Sequence, residues 1–170
     1  MRTFFITLYL LVAQNAALQA QATIVVKNDY KQEAVYQQAR FYADLFGFDE
    51  SVHIIINFSL DVPKGHHGYT RYHDAHPLNG GHQLLIKINR KSNRVQQLMT
   101  LVHEMIHARQ FVEGELQQCG PLHYSWKNEK ICQAANEIPY RDRPWEKEAH
   151  EETLPLYRLY REQALTVAQR

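Results

Sequence analysis

The chain has 170 residues, with 19 basic against 18 acidic side chains. That length suits one domain around one core. The near-balance of charge gives no reason to expect nucleic acid or an anionic membrane as a partner.

The first residues read as an export signal. Arg2 gives a positive start, Phe4 to Ala13 is an apolar run, and Ala20-Gln21-Ala22 has the small-x-small pattern of a cleavage site. The expectation is a signal peptide over 1–22 and a single mature domain over 23–170. Cleavage after Ala22 leaves Thr23 at the new terminus, and cleavage after Ala20 fits the same pattern. The apolar run is too short to anchor in a bilayer, and no second run of spanning length follows. No cysteine near the signal points to lipidation. The reading is a secreted or periplasmic monomer without a membrane anchor.

Periodicity predicts the following elements. Ala34, Val35, Ala39, Tyr42, Ala43 and Phe46 give helical spacing from Gln32 to Phe46, with Gly47 able to close the helix. Val52 to Ser59 is β-rich and apolar, Gly68 to Tyr72 is a second short strand, and Gln83 to Asn89 alternates as a third. Asn79-Gly80 marks a turn before that third strand. Asn93 and Gln96 have the spacing of a helix cap, with Ser92 the rival cap, and no proline or glycine interrupts the chain from there to about Phe111. Val95, Leu98, Val102, Met105 and Ile106 form its buried stripe, and Met99, His103, His107 and Gln110 run beside it. Beyond Glu148 the pattern is helical but broken at Pro155. Leu156, Leu159, Tyr160, Ala164 and Val167 suggest a second amphipathic piece.

The chemistry concentrates in His103-Glu104-Met105-Ile106-His107. Histidines four apart on a helix sit one turn above each other, so both imidazoles reach one metal ion. Glu104 stands beside the pair, placed to take a proton from a water the metal acidifies. Hydrolysis of this kind develops a negative oxygen, and Tyr140 or His123 is the candidate donor to it. Arg143 is read as able to tether an acid of the last helix. His66, His67, His73, His76 and His82 crowd the loops between strands and read as polar loop histidines, since no pair has ligand spacing.

Export makes Cys119 and Cys132 a disulfide pair, because two cysteines in an oxidising compartment usually join. Such a loop is worth about 3 kcal/mol by chain entropy. The alternative is Cys119 as a zinc ligand.

Thr100 to Ala108 resembles the active helix of the zincin metallopeptidases, although Arg109 stands where that family usually has an apolar residue. The metzincin branch is excluded, because Gln110 and Glu113 occupy the places of its glycine and third histidine. Arg143-Pro144-Trp145-Glu146-Lys147-Glu148-Ala149-His150 resembles the second motif of the gluzincins. The resemblance implies Glu146 as the third ligand and puts His150 at the place of the residue that orients a ligand histidine. Glu148 and then His123 are the other candidates for third ligand. Cys119 to Trp126 is similar to a stretch of SprT-like zincins, with Cys119 at their histidine's place.

The implied fold is α+β and zincin-like. An N-terminal helix and a small mixed sheet pack on the active helix, and a mostly helical C-terminal part follows. The strand before the active helix, Leu84 to Ile88, is expected to be an exposed edge that holds an extended peptide. The implied function is a zinc-dependent peptidase acting on a peptide or protein substrate, with Zn2+ held by His103, His107 and Glu146. The alternative is an exported, metal-stabilised binding module without catalysis.

Overall fold

A computed structural model describes residues 21–29, 31–73, 81–127, 129 and 132–168. Residues 1–20 of the expected signal, the Asn79-Gly80 turn and His76 lie outside the described residues. The described residues are mixed α and β, with three α-helices and two small sheets.

The first sheet has the order β1-β2-β4-β3, built from β1 (Thr23–Lys27), β2 (Val52–Ser59), β3 (Gly68–His73) and β4 (His82–Asn89). β1, β2 and β4 run parallel, and β3 pairs antiparallel with β4. In β2 and β4 side chains alternate between buried and half-buried. Val52, Ile54, Ile56 and Phe58 thus share one face with Leu84, Ile86 and Ile88. Helices α1 (Gln32–Leu45) and α2 (Arg94–Val112) pack against this sheet and each other. They supply Val35, Ala39, Tyr42 and Ala43 from one helix and Leu101, Val102, Met105 and Ile106 from the other.

The edge strand differs from expectation. β4 is an inner strand between β2 and β3, and Leu84, Ile86 and Ile88 are fully buried, so the edge strands of the described sheet are β1 and β3. A chain that reverses at the sheet's end puts the strand before the helix inside, and periodicity carries no information about pairing partners. β1 was not foreseen. Its five residues alternate weakly, and their place is set by parallel pairing with β2.

α2 begins where the cap pattern puts it. The Asn93 side chain accepts from the Gln96 backbone N–H at 2.9 Å, which makes Asn93 and not Ser92 the cap. Val95 is 60 % exposed rather than part of the buried stripe, since the first turn of α2 lies beyond the sheet, and Leu98 is half-buried. The stripe that packs runs from Leu101 to Phe111.

A second sheet, β5 (Leu116–Gly120), β6 (His123–Trp126) and β7 (Gln133–Ala134), follows α2 as an antiparallel unit. The Cys119–Cys132 disulfide closes over it. Helix α3 (Pro144–Ala168) then runs as one element of 25 residues, so Pro155 lies inside it and does not break it. Proline forfeits one helical hydrogen bond and crowds the preceding turn. Packing on both sides offsets that cost: Ala149 and Thr153 are buried before it, while Leu156, Tyr157 and Tyr160 lean on the core after it. The Tyr42 hydroxyl also donates to the Leu156 carbonyl at 3.2 Å. Leu159 remains exposed at 42 %.

Candidate metal centre

α2 presents His103 and His107 toward the first turn of α3, where Pro144 starts the helix and Glu146 projects back. Three atoms converge. His103 Nε2 lies 3.2 Å from Glu146 Oε2, His107 Nε2 lies 3.3 Å from the same oxygen, and the two Nε2 atoms are 3.2 Å apart. A tetrahedral ion with bonds of about 2.0–2.1 Å spaces its donors about 3.3 Å apart. The triangle therefore matches one face of such a tetrahedron, and the group His103, His107 and Glu146 could hold a metal ion.

The far ring nitrogens explain why the Nε2 lone pairs face inward. Gln110 Nε2 donates to the Trp145 carbonyl at 3.1 Å, which turns Gln110 Oε1 toward His107 Nδ1 at 2.8 Å. The Thr153 hydroxyl donates to the Ala149 carbonyl at 2.6 Å and leaves its lone pairs facing His103 Nδ1 at 3.3 Å. In the neutral form these partners favour the hydrogen on each Nδ1, which turns each Nε2 lone pair toward the carboxylate. Three electron-rich atoms so close together repel unless a cation or proton lies among them. His107 shows that demand. Burial would lower its pKa, but the hydrogen bond and charge of Glu146, with Glu104 behind, outweigh burial and lift it to about 9. Glu146 responds in the opposite sense. Burial would raise its carboxyl, yet the two imidazoles and the Tyr140 hydroxyl hold it well below the usual carboxylate range.

Glu104 is 4 % exposed and borders the same space. The Thr70 hydroxyl of β3 donates to its Oε2 at 2.8 Å. Burial pushes its carboxyl up, against the pull of His107 and His103. The close approach of β3 to α2 that allows this contact requires Gly68. A Cβ there would lie 2.5 Å from Thr100 Cγ2 and 2.8 Å from the Lys87 carbonyl oxygen.

The other expected residues divide cleanly. Tyr140, in a 3-10 turn just before α3, hydrogen-bonds Glu146 and lines the cleft. His123 does not reach the group: it sits exposed on β6, where its Nδ1 donates to the Pro121 carbonyl at 2.8 Å. Glu148 is turned away, paired with Arg109 at 2.7 Å and Lys127 at 2.8 Å. Arg109, the residue out of keeping with the zincin pattern, thereby holds α3 on α2 through Glu148 and Glu152. His150 does not bond His103, although their rings are 4.9 Å apart, because Thr153 takes the Nδ1. Arg143 ties no acid of the helix. Its Nε donates to the Ile138 carbonyl at 3.2 Å. Cys119 is in the disulfide and is no ligand.

Gln110 and Thr153 are the residues that sequence reading missed in their roles. Gln110 carried a signal, an amide three residues after His107 on the histidine stripe, and it is fully buried in the fold. Thr153, two turns beyond Glu146 across a proline-containing helix, carried none. The cleft divides around Glu104 and Tyr140 into a cavity of about 170 Å³ on the Phe111 and Trp145 side. A larger one of about 460 Å³ lies on the Met99 and His150 side. Compared with family models, curated proteins and solved structures, the chain matches none.

Proposed function

We propose that this protein is an exported zinc-dependent peptidase of the gluzincin-like type, hydrolysing peptide bonds of a peptide or protein substrate. The observation that carries the reading is the triangle of His103, His107 and Glu146 donors with the buried, raised-pKa Glu104 beside it on an open cleft. Two imidazoles and one carboxylate with a fourth position free is a donor set suited to catalytic zinc, whereas structural zinc sites are closed by four protein ligands. The bound ion would supply Lewis acidity, acidifying a water and polarising the substrate carbonyl.

The residues supply the rest. Glu104, desolvated and fixed by Thr70, accepts a proton and returns it to the leaving nitrogen, a task helped by the upward push that burial gives its carboxyl. Burial and the Glu146 carboxylate push the Tyr140 phenol far up, so it stays a hydrogen-bond donor at every working pH. Turning from Glu146 to the substrate, it stabilises the oxygen on which negative charge develops. β3, an edge strand of the described sheet that brings Thr70 to Glu104, is the strand on which an extended peptide would lie. The disulfide favours an oxidising compartment, in keeping with a secreted or periplasmic protein. Among the described residues no helix is long and apolar enough to cross a membrane.

Glu104→Gln is expected to retain the metal and lose peptide hydrolysis by at least about 10²-fold, whereas His107→Ala loses both. Undiminished turnover in Glu104→Gln removes Glu104 as the base. Bound metal with no hydrolysis of any peptide in the wild type favours the non-catalytic binding module.

A further inference from the structure

The smaller cavity has an unexplained charge. Its walls mix apolar and polar groups, Phe111, Leu116 and Trp145 beside His66, Thr70 and Tyr124, and one end opens on Glu104 and Glu146. Arg143 also lines it. The other shielded arginines each meet a carboxylate: Arg40 meets Asp44, Arg94 meets Asp29, and Arg109 meets Glu148 and Glu152. Arg143 does not. Among the described residues its contacts are the Ile138 carbonyl and the face of the Tyr140 ring, 5.3 Å from the guanidinium carbon. The carboxylates at the mouth of the cavity are already engaged, Glu104 by Thr70 and Glu146 by the imidazoles.

A half-buried guanidinium whose hydrogen bonds among the described residues use only its Nε keeps donors for a planar, two-oxygen acceptor. Such a cation, partly shielded from water, gains from a ligand that brings the missing charge. Arg71 reinforces the field, since both arginines act on the Tyr124 hydroxyl. At about 170 Å³ the cavity takes a side chain or chain end rather than a longer segment. A void of about 150 Å³ accommodates one benzene ring.

We propose that Arg143 is a specificity-determining residue that binds a substrate carboxylate in this cavity, so that the preferred substrates carry an acidic side chain or a free C-terminal carboxylate next to the cleaved bond. This rests on the peptidase reading for the word substrate, while the cavity's preference for a carboxylate is a property of its own. A side-chain carboxylate makes the protein an endopeptidase selective for Asp or Glu, and a terminal one makes it release residues from the C-terminus.

The test uses peptides blocked at both ends that differ only in Glu or Gln at each position in turn. The Gln series is repeated with a free C-terminal carboxylate. Zinc-loaded wild type should cut one carboxylate-bearing series with kcat/KM about 10- to 100-fold above its neutral counterpart, the range for a charged hydrogen bond. Which series is preferred identifies the source of the carboxylate. In Arg143→Gln that ratio should collapse toward one through KM more than kcat, and Arg143→Lys should recover part of it. Equal cleavage of all series, or a preference that survives Arg143→Gln, overturns the proposal and leaves the peptidase reading intact. If no peptide is cut, the peptidase reading fails. Trp145, in the cavity wall, then still reports binding of the same peptides by fluorescence. Carboxylate-dependent binding lost in Arg143→Gln upholds the role of Arg143, and binding without that dependence overturns it.

Discussion

Gln110→Leu separates a site built by the helix motif alone from one built by its supports. Gln110 is fully buried and makes two bonds, accepting from His107 Nδ1 at 2.8 Å and donating to the Trp145 carbonyl at 3.1 Å. Leucine fills similar space but leaves the His107 N–H without a partner and removes the second donor to the Trp145 carbonyl, which keeps its place in the helical ladder of α3. Each buried unsatisfied group costs about 1–3 kcal/mol. The loss is about 1–3 kcal/mol, or a melting temperature lower by about 2–12 °C for a domain of this size. The second consequence is specific to a metal role. Freed from Gln110, His107 loses its enforced tautomer and the start of α3 loses its tie to α2, so zinc affinity should fall about 10- to 100-fold. Thr153→Ala should cost less, because its contact with His103 is 3.3 Å and its firmer bond lies within α3. Competition with a chromophoric chelator gives the affinities, and thermal melts with and without zinc give the stabilities. A Gln110→Leu protein that melts lower yet binds zinc within about twofold of wild type would refute the argument that Gln110 orients His107.

Two further predictions concern other parts of the molecule. Ala22 is 1 % exposed and its carbonyl accepts from Arg40 at 2.6 Å, while Gln21 bridges to Asp49. If the leader is removed, the cut should fall after Ala20 and mass spectrometry of the exported protein should find Gln21 first. A terminus at Thr23 contradicts this. The metal-free site should also bind a proton on His107. Because the folded pKa of about 9 lies above the ordinary 6.5, this group stabilises the fold fully below pH 6.5 and ceases to as pH rises through about 9. The depressed Glu146 works in the other direction, its contribution vanishing only as pH falls through its lowered pKa. Zinc uptake at pH 7.5 should therefore release about one proton, seen as a dependence of calorimetric heat on buffer ionisation enthalpy. Heat independent of buffer contradicts the assignment.

Much of the site was legible because its signals are local. His103, Glu104 and His107 follow from helical spacing, and Asn93 and Gln96 mark where the helix begins. Glu146 came from a motif, and its placement against the histidines depends on α3 docking through Arg109, Glu148 and Glu152. Sequence alone left Glu148 open as a ligand because a carboxylate's partner is a tertiary fact. The inner position of β4, the β5–β7 sheet and the unbroken helix through Pro155 were illegible for the same reason. Strand order and tolerated prolines are decided by what packs against them, as Leu156 and Tyr160 do here.

The most direct test is the zinc content of the purified protein beside Glu146→Ala and Glu148→Ala. The expected result is about one zinc per chain in wild type and in Glu148→Ala, and none retained by Glu146→Ala after excess is removed. No zinc in the wild type after loading, or loss in Glu148→Ala with retention in Glu146→Ala, contradicts the metal centre described here.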